Sequence, residues 1–129
     1  MTTWGEVQAH VREHYELLSD NPHSFSLWFE YETGRRQQIT VRRFAAFDID
    51  WVEFRSAVCP RSKLDPEQAV RRNETLACGA LALDESDTYV LLYTAPLPTL
   101  DREELDMPLY VIAGTADHLE HELTGDDLS

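Results

Sequence analysis

The chain has 129 residues, 24 acidic against 11 basic, and a formal net charge of −13. Its length suits one domain with a core of its own, and an apolar share of 43% speaks against wholesale disorder. So acidic a chain repels phosphates and anionic lipid, which excludes nucleic acid and membrane as expected partners; with no apolar run near a membrane span and no signal-like start, a cytoplasmic location is expected.

The periodicity predicts a first helix over 3–18. Thr3 and Glu6 form a capping box, and Trp4, Val7, Val11, Tyr15 and Leu18 make one apolar stripe before Asn21-Pro22 stops it. A hairpin follows, 24–31 with 35–44. A three-residue loop with Gly34 in the left-handed position pairs Leu27 with Ile39, Phe25 with Val41 and Glu30 with Arg36, keeping apolar and polar faces apart. A third strand is expected over 51–58. Asp65-Pro66 then opens a short helix that ends near Asn73.

A second hairpin is expected from 76–83 and 88–94. The first of these strands carries small residues that admit a close neighbour. The second is apolar on both faces and calls for cover on both sides. The last helix spans about 101–123, with Leu105, Leu109, Ile112, Ala116, Leu119 and Leu123 spaced 4, 3, 4, 3, 4, and Gly125 as terminator. The order α-β-β-β-α-β-β-α predicts a single α+β domain over 1–129, with helices packed on a five-stranded, mainly antiparallel sheet.

That order covers the whole chain. At its C-terminal end, Tyr89-Val-Leu-Leu-Tyr-Thr-Ala-Pro-Leu-Pro runs through Leu100-Asp-Arg-Glu-Glu-Leu105 to Ala116-Asp117-His-Leu119-Glu120. This stretch resembles the closing strand, polar approach and final helix of the class I type III secretion chaperones and of the YbjN proteins that share their fold. The resemblance implies a non-enzymatic binding module, commonly a homodimer, that holds a protein or peptide segment against sheet and helix surfaces.

The residues that could carry chemistry are few. His10, Glu13 and His14 match the H-x-x-E-H pattern of inverted zinc peptidases, and histidines four apart share one side of a helix. Glu13, however, projects well round from them, and His14 falls within the apolar stripe, where a packed histidine is the plain reading. His118 and His121, with Asp117, Glu120 and Glu122 nearby, lie opposite the leucine stripe and read as solvated side chains. Cys59 and Cys78 read as reduced, structural thiols. Phosphate-loop, dinucleotide and nucleophile-elbow patterns do not occur in the sequence, so neither a catalytic residue nor a cofactor or metal is assigned.

Misplaced aromatic surface is the stronger signal. The hairpin register sets Trp28, Phe44 and Trp51 away from Phe25, Leu27 and Phe29, among Arg36, Arg42 and Arg55. Either this face meets a partner, or a second layer covers it and the aromatics are core. Met107 and Val111 add a short apolar strip on the last helix, suited to a dimer or peptide contact. Charge is uneven, net +4 over 35–72 and net −8 over 101–129, so the basic middle could steer an acidic peptide or twin subunit. The leading expectation is a chaperone-like or adaptor module. An acidic immunity or antitoxin-type inhibitor of a basic partner is the alternative, and a zinc-dependent hydrolase using His10 and His14 is a third.

Overall fold

In the computed structural model, which describes residues 2–125, the first helix ends earlier than its apolar stripe suggests. Helix α1 is Trp4–His14, capped by the Thr3 hydroxyl, which accepts from the Glu6 amide at 3.2 Å. Tyr15 turns extended, and Leu17–Asp20 forms strand β1, paired antiparallel with β2 (Ser24–Glu30) through Leu17–Leu27 and Asp20–Phe25. The expected helix to residue 18 is thus corrected, and the sheet gains a sixth strand. Polar side chains of α1 draw the segment back. The Trp4 indole N–H donates to the Pro22 carbonyl at 2.9 Å, Gln8 donates to that of Asn21 at 3.2 Å, and Arg12 grips the Asp20 carboxylate at 2.7 and 3.0 Å. Because Tyr15 and Leu17 point inward with a period of two, Leu18 is left 51% exposed.

The next hairpin has the expected register. Strand β3 (Arg36–Ala46) sets Ile39 opposite Leu27, Val41 opposite Phe25 and Arg36 opposite Glu30, across a loop that places Gly34 at φ +85°. Strand β4 (Ile49–Pro60) is longer than expected, because β3 and β4 join through only Phe47 and Asp48, at φ +53° and +62°. Asp65 caps α2 (Pro66–Arg72) by accepting from the Glu67 amide at 3.2 Å, and a 3₁₀ turn at Asn73–Thr75 follows.

Strand β5 (Ala80–Leu83) begins later than its composition suggests. Gly79, at φ +82°, brings the chain so close to β6 (Thr88–Pro96) that a Cβ there would lie 2.7 Å from the Leu92 carbonyl oxygen and 2.9 Å from Ile112 Cδ1. The strand order is β1-β2-β3-β4-β6-β5, every neighbouring pair antiparallel.

Helix α3 (Arg102–Thr124) starts under Asp101, which accepts from the Glu104 amide at 2.8 Å, and stops at Gly125, φ +76°. Pro108 lies inside it, where the missing N–H leaves the exposed Glu104 carbonyl to water. Leu105, Leu109, Ile112, Ala116 and Leu119 are buried on the face of the sheet lined by Phe25, Leu27, Ile39, Val41, Val52, Phe54 and Leu91. Helix α1 joins the same side, with Trp4 stacked on Phe25 at 5.8 Å between centroids, worth about 0.5–1.5 kcal/mol beyond the area it buries.

Two polar clusters sit within this layer. Gln37, fully buried, donates to the Ser56 hydroxyl at 2.9 Å and to the Ala57 carbonyl at 2.6 Å, while Asp117 accepts from Arg35 at 2.9 Å. The double cover expected for β6 is partial, since on the face away from the helices Val90 is buried at 3% exposure. Leu91 is buried under the helices, whereas Leu92 on the other face is half-buried.

Candidate functional site: the uncovered sheet face

The two-residue period of the strands sorts side chains, and the observed register states which ones share a face. On the side away from the helices, Trp28 stands opposite Gln38, Arg36 opposite Glu30, and Arg42 opposite Ser24. One strand further on, Phe44 faces Trp51, Arg42 faces Glu53, and Thr40 faces Arg55. Beyond that, Trp51, Glu53 and Arg55 face Pro96, Thr94 and Leu92. All six side chains singled out on the strands, Trp28, Phe44, Trp51, Arg36, Arg42 and Arg55, therefore come to one surface. The three aromatics are half-buried among their neighbours on the sheet, and among the described residues no helix lies over them.

The arginines and aromatics of this surface form an ordered set. The Phe44 and Trp51 rings stack at 6.5 Å with 17° between planes, and the Trp51 indole N–H donates to the Ala46 carbonyl at 2.9 Å. The Arg36 guanidinium lies 4.8 Å over the Trp28 ring and that of Arg42 4.9 Å over Phe44. Glu53 links two arginines: Arg42 meets both carboxylate oxygens at 3.0 Å, and Arg55 Nε lies 3.2 Å from Oε1. Glu53's side chain is only 8% exposed, while those of Arg42 and Arg55 are 47% and 40% exposed.

Two depressions flank this arrangement. One of about 320 Å³ is lined by Leu17, Leu18, Trp28 and Arg36 with Glu16 and Glu30, and one of about 240 Å³ by Gln38, Thr40, Arg55, Ala57, Asp84 and Val90.

The remaining basic residues of the middle segment do not join them. Arg35 pairs with Asp117, Arg43 with Asp50, Arg61 with Asp87, Arg71 with Glu67, and Arg72 with Glu122, so the net positive stretch is dispersed over both sides of the sheet. Met107 and Val111 lie apart from this face, on α3 in the helical layer. There Met107 and the neighbouring Tyr110 are more than half exposed and Val111 is half-buried.

The histidine pairs are placed differently from one another. His10 is held by Asp106 at 2.9 Å, an oxygen that also accepts from the Tyr15 hydroxyl at 2.9 Å. His14 is exposed, not part of the apolar stripe, because the helix ends there; its Nδ1 lies 2.9 Å from the His10 carbonyl. Glu13 is also exposed, and among the described residues no three His, Cys, Asp or Glu side chains converge as a metal site. His118 and His121 are exposed as expected, but Asp117 and Glu120 on the same helix are buried. Cys59 and Cys78 are free thiols, both pushed up in pKa by burial.

Sequence reasoning missed two residues here. Glu53 looked like one more polar position on a strand, although a carboxylate cross-strand from Arg42 and two residues from Arg55 is a legible sign of a shared pair. Phe47 is 91% exposed at the hairpin tip, and a two-residue turn without Gly or Asn carries no turn signature.

No protein-family model and no curated protein sequence matches this chain. Solved structures do. A chain in the complex of ExsC with ExsE covers 95% of this chain and 97% of its own length, with a TM-score of 0.67 at 14% identity. A chain in the HopA1–SchA chaperone–effector complex covers 89% of this chain and 88% of its own, with a TM-score of 0.60 at 15% identity. These likenesses establish the fold, the architecture that the resemblance to secretion chaperones implied.

Proposed function

We propose that the protein is a non-enzymatic, chaperone-like binding module that holds a segment of another protein against its uncovered sheet face. The observation that carries this reading is the gathering of Trp28, Phe44 and Trp51 with Arg36, Arg42 and Arg55 on one helix-free surface. Half-buried Trp and Arg side chains are the residue types that dominate binding energy at protein interfaces. The reading is supported by a fold shared with a chain of a chaperone–effector complex, and by the resemblance of the last third of the sequence to the class I secretion chaperones and YbjN proteins. It works in the cytoplasm as a homodimer, with Met107 and Val111 as a further contact strip.

The test has two steps. The partner is identified by co-purification from the native host, and the oligomeric state by light scattering. The variant Trp28→Ala/Trp51→Ala is then titrated against that partner, with a urea midpoint as a control for folding. Removing two anchors of at least about 2 kcal/mol each is expected to weaken binding several-hundredfold or more. Unchanged affinity in a folded double variant removes this face from consideration.

A further inference from the structure

We infer that the Arg42–Glu53–Arg55 group is a preorganised receptor for one carboxylate side chain of the bound segment, with Glu53 as its positioning residue. This rests on the sheet-face reading above and adds the chemistry of what binds there.

The group has one carboxylate and two guanidiniums, so its local charge is +1 on a chain of −13. Its negative member is the inner one, at 8% exposure, and its positive members are the outer ones, at 47% and 40%. Glu53 uses one edge of the Arg42 fork, through Nε and one Nη, and draws Arg55 to the same oxygen. A guanidinium carries five donors, and those left over remain available to a second acceptor. Arg55 Nε is itself buried, 3.2 Å from Glu53, so a ligand meets Arg55 through the other nitrogens of a side chain that is 40% exposed. Holding both side chains in place before binding lowers the entropy lost when a ligand arrives.

The same arrangement argues against a nucleic-acid strand. Arg42 lies over Phe44, Phe44 stacks on Trp51, and Arg36 lies over Trp28, so each ring already has one cation or ring partner and offers less face to a stacking base. A carboxylate needs no free ring face. The occupant is therefore an extended protein segment with Asp or Glu between apolar residues, all on one side at two-residue spacing. The acid meets Arg42 and Arg55, and the apolar residues meet the Phe44–Trp51 pair and the Trp28–Leu18 depression. The acidic side chains lining the two depressions on this path are Glu16, Glu30 and Asp84. Asp84 accepts from the amides of Ser86 and Thr88 at one oxygen, Oδ1, and Glu30 stands cross-strand from Arg36.

The experiment uses the full chain and a fluorescein-labelled peptide, Leu-Ser-Leu-Ser-Asp-Ser-Leu-Ser-Leu, against its Asn counterpart, read by fluorescence polarisation. The Asp peptide is expected to bind about tenfold tighter, the scale of a charge-assisted hydrogen bond to a half-exposed guanidinium. Arg42→Gln/Glu53→Gln removes a guanidinium together with the buried carboxylate, leaving no lone buried charge, and is expected to erase the Asp preference. Arg55→Lys, which keeps the charge but not the fork, is expected to reduce it.

Equal affinity for both peptides, with both lost in Trp28→Ala/Trp51→Ala, overturns the carboxylate receptor and leaves the sheet-face reading standing. An Asp preference that survives Arg42→Gln/Glu53→Gln, or no binding of either peptide, also overturns it. Preferential capture of a labelled oligothymidylate overturns both readings.

Discussion

Phe47 offers a sharp test of how the β3–β4 hairpin is built. It sits at φ +53° in a two-residue turn, where an ordinary side chain costs about 1–2 kcal/mol and Asn is tolerated. Its ring is 91% exposed, so only about a tenth of a residue's apolar area, on the order of 20 Å², is buried, worth about 0.5 kcal/mol. Phe47→Asn therefore exchanges about 0.5 kcal/mol of lost burial for about 1–1.5 kcal/mol of relieved backbone, a net gain of about 0.5–1 kcal/mol. Phe47→Ala loses the same burial without the relief and is expected to be slightly less stable than the parent. Urea denaturation read by tryptophan fluorescence gives both values, and the melting temperature should rise by about 2–5 °C for the Asn variant. Opposite signs for Asn and Ala support a turn held against backbone preference. Equal values, or a destabilised Asn variant, refute the reasoning.

Two further outcomes follow from the packing. Gly79→Ala adds a methyl against the Leu92 carbonyl and Ile112 at a left-handed position, and should cost about 2–4 kcal/mol in urea unfolding; a loss below about 1 kcal/mol would show that the chain at Gly79 approaches β6 and α3 less closely than described. Burial and the hydrogen bond to Asp106 push Tyr15 up to about 12, and burial with the nearby Asp117 charge pushes Tyr31 up to about 12. Both are harder to ionise folded than unfolded, so their contribution to stability is complete below pH 10 and is lost as pH rises from about 10 to 12. An ultraviolet titration in which all tyrosines ionise together near pH 10, with the fold intact, would contradict these environments.

The parts of the fold legible beforehand are those where local chemistry and tertiary packing agree. Gly34 admits only one loop that keeps Phe25, Leu27 and Ile39 on one face, and the register follows; Thr3, Asp65 and Asp101 cap where capping residues belong. Strand β1 was hidden because Val11, Tyr15 and Leu18 fit a helical stripe as well as Tyr15 and Leu17 fit a strand. The decision came from Arg12, Gln8 and Trp4 reaching across to residues 20–22, contacts no period records. Strand β5 starts later than composition suggests because Ala77, Cys78 and Gly79 suit a strand by type, while Gly79 serves a close crossing with β6 and α3. On the sheet face, the aromatics and arginines were legible from alternation alone. Glu53 was not, since its importance comes from depth, and depth depends on both neighbouring strands.

That α3 follows every strand of the sheet has a consequence for synthesis on the ribosome. Strands β1 to β4 form a meander of sequence neighbours that can zip up as it emerges, whereas β6 must reach back to β4 across residues 61–87. The apolar side of the nascent sheet, with Ile39, Val41, Val52 and Phe54, stays without its largest cover until the final helix has been translated. A stalled or prematurely terminated product lacking that helix exposes a sticky sheet on the side opposite Trp28 and Trp51, a hazard for the cell that the finished molecule does not present.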